Sequence, residues 1–400
     1  MTRQGLLGGI TIVDFGWAVA GTMLSRLLAQ HGATVLKIES SARLDSTRIA
    51  APFAGKPSRN SSGYFEYFNG GKQSVTINLK HEEGQRLARR LVLSAGIVNE
   101  NFVPGVLERA GLGYEALALE RPDLIMISSS SQGQDGPHAR HPGVGVTLQG
   151  LVGFCNLTGW PDREPVGPGE PYTDTLVVGM AGAALMAALD YRRRHGRGLH
   201  IDVSQFETVA HALAPGILHE QLTGQRHSRM GNASLARAPE GVYACKGVER
   251  WIAVSIESDA QWRTLAGMID FPAPAETQNL AWRFANNSAI EAAVSAWARD
   301  RDLFDVERLL QENGIPAHSV ASGEDLANDV QLTVRGRAVD RHHPVMGDIV
   351  CDMPPFRLSE HPVSVERAPT LGEHTDRVLK SILGLSDDEI ASARDAGALA

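Results

Sequence analysis

Short apolar runs alternate with amphipathic segments along the first half of the chain. Residues 10–15 are a compact apolar run, the apolar residues within 23–28 recur at helical spacing, and residues 33–39 are a second apolar run. A strand, a helix and a strand at this spacing indicate a right-handed βαβ unit in a parallel sheet.

The alternation continues to about residue 203. Further strands are predicted at 74–78, 97–98, 124–128 and 199–203, and helices at about 82–95 and from Asp174 to about residue 195. Glycine commonly ends helices, so the last helix is predicted to stop at Gly196-Arg-Gly198. The serine run at 128–131 is predicted to be a loop with side-chain capping rather than a set of nucleophiles.

The pattern changes near residue 225. After a polar loop come two paired strands, at about 241–245 and 251–255, and then helices at about 259–268, 289–298 and 303–312. We predict an α/β protein with a large Rossmann-like parallel-sheet domain and a smaller α/β domain. The large domain begins with residues 1–224, the small domain is 225–330, and 331–400 return to complete the large domain.

Composition narrows the class of protein. The chain has 400 residues, of which 43% are hydrophobic and 21% charged, as in soluble globular proteins. Its net charge of −8 includes no basic block, which argues against nucleic acid as a partner. The apolar run 176–189 is too short to cross a membrane, and the first residues lack a signal-peptide pattern. Cys155, Cys245 and Cys351 are scattered, so a cytoplasmic protein without disulfides is predicted.

Asp174 stands at the start of the small-residue-rich helix, and its sequence context leaves two interpretations open. It can cap the helix by accepting backbone N–H bonds that would otherwise be unpaired. It can also be held ionised there as a carboxylate nucleophile.

Other candidate sites are weaker. The turn after the first strand, Gly16 to Gly21, and the acidic Glu39 occupy the places where dinucleotide folds bind phosphate and ribose. The G-x-G-x-x-G spacing is absent and Trp17 would obstruct the pyrophosphate, so a nicotinamide enzyme is kept only as an alternative. His138 and His141 lack a third ligand nearby, as does the pair at 342–343, so no metal is predicted.

Cations recur near the predicted strand ends of the first half. Ligands bind at the carboxyl ends of parallel strands, so these cations together suggest a nucleotide-like cofactor with several phosphates. The residues are Lys37, Arg43, Arg48, Lys72 and Arg109.

Nearly the whole chain resembles the family III CoA-transferases, which include formyl-CoA transferase and carnitine CoA-transferase. The matching segments follow the family's order; they include 32–39 (GATVLKIE), 68–74 (FNGGKQS), 99–111 (NENFVPGVLERAG), 133–137 (GQDGP), Asp174 with its helix, and 369–378 (PTLGEHTDRV). The resemblance implies that Asp174 is the catalytic nucleophile. It also implies that coenzyme A is the co-substrate and that two chains form interlocked rings.

The same resemblance assigns binding residues. Ala18 and Val19 would border CoA, Lys72 and Arg109 would reach its phosphates, and Asn101 and Phe102 would line its adenine or pantetheine. Arg43 is assigned a phosphate contact because Ser40 replaces a basic residue of formyl-CoA transferase.

Departures from the family bear on the reaction. The related 2-methylacyl-CoA racemases need a histidine where this chain has Val144, with His141 three residues early. This departure argues against a two-base racemase, which is kept as the alternative enzyme. A glycine-rich lid is missing after Gly231, where Arg237 is a candidate contact for an acceptor carboxylate. The segments at 43–48 and 64–68 are similar to members that act on aromatic or dicarboxylic acids with succinyl-CoA. Some of those pair with a homologous subunit, so both a homodimer and a heteromer stay open.

Overall fold

The computed structural model describes residues 5–272, 278–361 and 363–400. Residues 1–4, part of the segment considered for a signal peptide, lie outside the described residues. The strands are β1 Thr11–Asp14, β2 Thr34–Glu39, β3 Gln73–Thr76, β4 Ile97–Glu100, β5 Ile125–Ser130, β6 His200–Ser204, β7 Glu240–Ala244, β8 Trp251–Ser255, β9 Ala317–Ser319, β10 Ala338–His343 and β11 Gly347–Asp352.

The helices are numbered in chain order, and a 3-10 turn at Ser46–Ile49 lies between the first two. They are α1 Ala20–Gln30, α2 Gly63–Asn69, α3 Glu82–Ala95, α4 Val106–Arg109, α5 Tyr114–Glu120, α6 Gly145–Leu151, α7 Phe154–Leu157, α8 Tyr172–His195, α9 Gln205–Ala212, α10 Ala214–Thr223, α11 Asp259–Met268, α12 Leu280–Ala285, α13 Asn287–Arg299, α14 Leu303–Glu312, α15 Gly323–Ala327, α16 Val330–Val334, α17 Thr375–Leu383 and α18 Asp387–Asp395.

The chain divides into two compact units. The first contains residues up to Phe154, Gly167–Arg226 and Thr333–Ala400, and the second contains Cys155–Val166 and His227–Leu332. The sequence interpretation placed 155–166 in the large domain, whereas the structure assigns this segment to the second unit. Its membership depends on long-range contacts, such as the bond from Gly231 N to Gly159 O (2.9 Å), which local patterning does not reveal.

A six-stranded parallel sheet forms the centre of the first unit, in the order β3-β2-β1-β4-β5-β6. This is a doubly wound strand order, and it confirms the predicted α/β fold. Side chains alternate between the two faces of each strand, and both faces are buried because helices pack on each. Ile12 contributes to the core under α1 and α8, and the next residue, Val13, contributes to the core under α3 and α17.

Helix α8 places its first turn at the carboxyl edge of this sheet. Ala181 and Leu185 pack against the strands in the same core as Ile127. At the other end of the helix, the N–H of Gly198 donates to the carbonyl of Pro122 (2.9 Å), just before β5 begins. The end of α8 therefore lies at the amino edge of the sheet, and its beginning lies at the carboxyl edge, where parallel sheets bind ligands.

Two sequence expectations are corrected in this unit. Ser129 and Ser130, which are predicted to lie in a loop, continue β5 beyond the predicted strand end at Ser128 because they pair with β6. Among the described residues one helix, α8, is long and apolar enough to cross a membrane by length and composition, although the apolar run alone was judged too short. Core helices of soluble proteins meet the same criterion, and α8 packs against the sheet.

The second unit has its own core. Strands β7, β8 and β9 form an antiparallel sheet, and helices α11, α13 and α14 cover it. Trp262 and Leu310 are fully buried in that core. The expected pair of strands and the three expected helices are therefore present.

Candidate active site

Asp174 lies in the first turn of α8 with a carboxylate that is half-buried and unpaired. Its own N–H donates to the carbonyl of Pro171 (2.9 Å), and Pro171, not Asp174, occupies the N-cap position. The described residues provide no hydrogen bond to the Asp174 carboxylate, so the helix-cap interpretation is wrong. Burial raises its pKa from 3.8 to about 6.

Gly145 packs directly against this carboxylate. A Cβ atom at position 145 would lie 2.5 Å from Cβ of Pro171 and 3.0 Å from Oδ2 of Asp174. Both distances are shorter than ordinary packing allows, so a glycine is required for the start of α6 to approach the start of α8. Gly145 was not predicted as a site residue. In the sequence it is a glycine between two valines, and this local pattern does not reveal that it contacts Asp174.

Aromatic and acidic side chains surround the same region. The carboxylates of Glu170 and Asp174 raise the pKa of Tyr64 after the larger effect of burial, which places the phenol near both acids. Tyr64 packs edge-on against Phe68, with ring centroids 4.8 Å apart. The side-chain amide of Gln149 donates to the backbone carbonyl of Glu170, which ties α6 to the segment before Asp174.

The turn between β1 and α1 is the second feature at the carboxyl edge. The side chain of Asn101 brackets Trp17, accepting from its N–H (2.8 Å) and donating to its carbonyl (2.9 Å). The ring of Phe102 meets Trp17 edge-on at 5.9 Å, and the guanidinium of Arg43 lies 4.8 Å from the centroid of the same ring. The structure thus brings these three predicted residues together around Trp17.

Ala18 and Val19 complete the turn. Ala18 has a left-handed backbone with φ +55°, and Val19 occupies the N-cap position of α1. Ala18 is half-buried, whereas Val19 is buried. The turn therefore offers backbone and one small side chain to a ligand, together with the indole of Trp17.

Lys72 does not have the setting expected of a phosphate ligand. Its ammonium group is buried and donates to Asp14 Oδ2 (3.0 Å), to the carbonyl of Thr22 (2.9 Å) and to Asn69 Oδ1 (2.9 Å). An ammonium group has three N–H donors, so these acceptors use all of them. Burial lowers the pKa of Lys72 to about 8 despite the Asp14 charge. Local sequence does not indicate this burial, because a lysine before a strand usually faces solvent.

Arg109 ends α4 and is exposed, without a salt bridge to any of the described residues. Like Asn101 and Phe102 it follows β4, so it belongs to the carboxyl-edge side of the sheet. Its guanidinium remains available for an anion.

Glu39 is already occupied, which bears on the nicotinamide alternative. Its carboxylate accepts two bonds from Arg48 (2.7 and 2.8 Å) and one from Ser74 (2.6 Å), and the pair is buried. A ribose would have to displace these charge-assisted bonds. The residue that dinucleotide folds use for ribose is therefore a structural ion pair here.

The histidines do not gather into a metal site. His138 and His141 contact each other through their rings at 4.6 Å, while His342 pairs with Asp348 (2.9 Å). Over the described ranges no group of three or more histidine, cysteine or acidic side chains is placed to hold a metal. Val144 is exposed at the beginning of α6 and supplies no proton-transfer group.

Comparison with known proteins identifies the family and agrees with the fold. The family model of CoA-transferase family III matches residues 7–375. This chain belongs to CoA-transferase family III. The fold and the resemblance inferred from the sequence are thereby confirmed, and so is the enzyme class, a CoA-transferase that uses CoA thioesters.

Individual relatives cover almost the entire chain. The succinyl-CoA–D-citramalate CoA-transferase of Chloroflexus aurantiacus is 30% identical and is aligned over 96% of each chain. The β subunit of succinyl-CoA–L-malate CoA-transferase from the same organism is 30% identical, over 97% of this chain and 96% of its own. The crystal structure of a CaiB/BaiF family protein from Brucella suis is 30% identical, has a TM-score of 0.87, and covers 95% of this chain and 100% of its own.

Proposed function

We propose that this family III member moves CoA from an acyl-CoA donor to an organic acid through covalent intermediates on Asp174. The observation that carries the proposal is the unpaired, half-buried carboxylate at the carboxyl edge of the sheet, packed against a glycine. A carboxylate without hydrogen-bond donors keeps its lone pairs for attack, and burial limits access of water to the intermediates.

Each half of the reaction consists of two exchanges. An oxygen of Asp174 attacks the thioester carbonyl, the C–S bond breaks, and CoA thiolate leaves with the electron pair, giving an aspartyl–acyl anhydride. The thiolate then attacks Cγ of Asp174 and expels the donor acid as a carboxylate, leaving an aspartyl–CoA thioester. The acceptor carboxylate repeats these steps in reverse. No proton is gained or lost overall, so no dedicated acid or base is required.

The β1–α1 turn is our candidate for the CoA site. Ala18 and Val19 border it, and Asn101 and Phe102 line it. The exposed Arg43 and Arg109 are the proposed phosphate contacts. Lys72 is not included among them, because its ammonium group is buried. Guanidinium groups suit this role because they bind phosphate oxygens through paired N–H donors. No metal takes part in the proposal.

The substrates are proposed by class. The two compared CoA-transferases have succinyl-CoA in their names. Tyr64, which lies near Asp174, belongs to the segment 64–68 that resembles members using succinyl-CoA. We therefore propose succinyl-CoA as the donor and an aromatic or dicarboxylic acid as the acceptor. Arg237, the sequence candidate for an acceptor contact, lies on the second unit and forms ion pairs there with Glu240 and Glu257.

We propose a soluble cytoplasmic homodimer of interlocked rings. Helix α8 supports a second chain because one of its faces is apolar and exposed, with Met180 49% and Met186 38% exposed. Large exposed apolar faces mark protein interfaces. A heteromer is the competing assembly, since one relative is named as a β subunit.

Intact-protein mass spectrometry tests the covalent route. The protein is mixed with succinyl-CoA and then with hydroxylamine, and peptide mapping locates any hydroxamate. A hydroxamate on Asp174 is expected, and its absence in Asp174→Ala is the control. A transfer reaction that persists in Asp174→Ala would reject the nucleophile. Exchange of an α-proton of a 2-methylacyl-CoA into deuterated water without an acid acceptor would instead indicate the racemase.

A further inference from the structure

Buried side chains hold the backbone of the β1–α1 turn, and the chemistry proposed above does not use them. Asp14 Oδ1 accepts from the N–H of Gly16 (2.9 Å), and Lys37 Nζ donates to the carbonyl of Gly16 (2.7 Å). Asp45 Oδ1 accepts from the N–H of Ala18 (3.2 Å). Charged groups from β1, from β2 and from the residue before the 3-10 turn thus hold the backbone of the β1–α1 turn.

The innermost of these groups form an ion pair. Lys37 Nζ lies 2.8 Å from Asp45 Oδ2, and both side chains are 0% exposed. Thr47 adds two further bonds to Asp45, from its N–H (3.0 Å) and its hydroxyl (2.8 Å). Apolar residues can often replace a buried ion pair without loss of stability, because charges are costly to desolvate. Stability alone therefore does not explain this pair, whereas its bonds to the turn do.

The turn also contains a strained residue. Ala18 has φ +55°, a left-handed conformation that favours glycine because a side-chain Cβ crowds the backbone there. Such strain persists only when surrounding contacts impose it, and it is concentrated at functional sites. The N–H of Ala18 donates to Asp45, and its carbonyl accepts from the Thr22 hydroxyl, so Asp45 holds one of the two polar groups of this strained residue.

We propose that Asp45 is a positioning residue for the CoA thioester: with Lys37, it sets the β1–α1 turn in the conformation that binds CoA. The inference rests on the proposed function, which assigns CoA to this turn. Asp45 is buried beneath the turn and acts through Ala18, so its loss should weaken CoA binding and leave the reactivity of Asp174 unchanged.

Two matched double variants isolate the bond to Ala18. In Lys37→Met/Asp45→Leu the buried charges are gone and no side chain accepts from the N–H of Ala18. In Lys37→Met/Asp45→Asn the charges are also gone, but an amide oxygen can still accept that bond. Thr47→Val is the control, because it removes one bond to Asp45 without affecting the contacts between Asp45 and the turn.

The readout is the dissociation constant of CoA itself, measured by calorimetry, together with the melting temperature. We expect the leucine variant to bind CoA about tenfold more weakly than the asparagine variant, the loss that corresponds to one hydrogen bond. Thr47→Val should bind as the wild type does. In steady-state assays the loss should appear in KM for the acyl-CoA, with kcat changed less than about threefold. Equal affinity of the two double variants would overturn the proposal.

If the leucine variant does not fold, hydrogen exchange of the wild-type protein tests whether Asp45 sets the turn. A turn set by Asp45 should protect the amide of Ala18 before CoA is added. Rapid exchange in the free protein, with protection only in the presence of CoA, would mean that the ligand sets the turn and would overturn the proposal.

These measurements separate the inference from the proposed function. CoA binding without any transfer would reject the transferase mechanism and leave the comparison of double variants valid. A wild-type protein that does not bind CoA would reject both.

Discussion

Asp174 carries its charge in a half-buried position where no described group donates a hydrogen bond to its carboxylate. Burial raises its pKa from 3.8 to about 6, so the folded protein holds this proton more tightly than the unfolded chain does. The ionised side chain therefore opposes folding, and this opposition grows as pH rises from about 4 to 6 and is complete at higher pH. Reactivity and stability are in conflict at this residue.

Replacement of Asp174 by asparagine should stabilise the protein while abolishing CoA transfer. With allowance for partial exposure, we expect the free energy of unfolding to rise by about 1–2 kcal/mol at pH 8 and by clearly less at pH 5. Urea denaturation at the two pH values measures this difference. Asp135→Asn, which neutralises an exposed carboxylate, should leave stability unchanged. If Asp174→Asn were less stable than the wild type at pH 8, the ionised carboxylate would have to be stabilised by other groups in the folded protein.

Gly145 should not tolerate a side chain, because it packs against Asp174, the proposed nucleophile. Gly145→Ala places a Cβ 3.0 Å from Asp174 Oδ2 and 2.5 Å from Cβ of Pro171, so the start of α6 or of α8 must move. Small displacements of reacting groups have large kinetic effects, and we expect kcat/KM to fall by about 10²-fold. Gly150→Ala is the matched control in the same helix, since nothing lies within 4 Å of its Cβ. Equal activity of both variants would contradict the close approach.

Adjacent strands β4 and β5 are coupled at their carboxyl ends through Glu100. This residue is 5% exposed, its carboxylate accepts from the N–H of Phe102 (2.7 Å), and the nearby Ser128 hydroxyl on β5 acts to lower its pKa. Burial raises the pKa of Glu100 to about 7, against 4.5 in the unfolded chain, and nearby acids add to the effect. The ionised form is thus disfavoured in the folded protein, and stability should fall as pH rises from about 4.5 to 7.

Glu100→Gln should remove this pH dependence. A glutamine retains an acceptor for Phe102 and a polar group for Ser128, and it cannot ionise. The variant should exceed the wild type by a few kcal/mol in free energy of unfolding at pH 8 and by less than about 1 kcal/mol at pH 5. Thermal unfolding at the two pH values is a sufficient measurement. A constant difference between the proteins would mean that another group titrates.

The sequence predicts helices and strands well where the apolar periodicity agrees with turn-forming residues at the ends. It predicts them less well where tertiary contacts determine the structure. The strand at 10–15 and the helix of 82–95 follow from local apolar patterning, and both are found within a residue of their predicted ends. The sequence predicts a loop at Ser129 and Ser130 because serine side chains cap turns, yet pairing with β6 keeps both residues in β5. Lys72 has a buried partner, Asp14, that lies 58 positions away, beyond the reach of any local pattern.

At the scale of the molecule, the order of the segments was more informative than any single motif. The order of the family segments indicated a catalytic role for Asp174, whereas its local context favoured a helix cap. In the structure Asp174 does not cap the helix. The sequence did not reveal two tertiary contacts: Gly145 packs against the carboxylate of Asp174, and Asp45 accepts from the N–H of Ala18. Both depend on contacts between segments that lie far apart in the sequence.

The proposed assembly leads to the last prediction. The chain leaves the first unit twice: it returns at Gly167 after the segment 155–166, and at Thr333 after the segment 227–332. If two such chains are interlocked, a dimer cannot separate without unfolding one of them. Helix α8 provides an exposed apolar face, which includes Met180 and Met186, for the second chain.

Subunit exchange distinguishes an interlocked dimer from an ordinary one. Tagged and untagged protein are mixed, and native mass spectrometry follows the hybrid species, each subunit having a mass of 43.0 kDa. We expect no hybrid on the time scale of days in buffer, and hybrid formation in urea at the rate of unfolding, because separation requires unfolding. The midpoint of unfolding should also rise with protein concentration. Rapid exchange in buffer would contradict interlocking, and a stable monomer would favour a heteromer with another subunit.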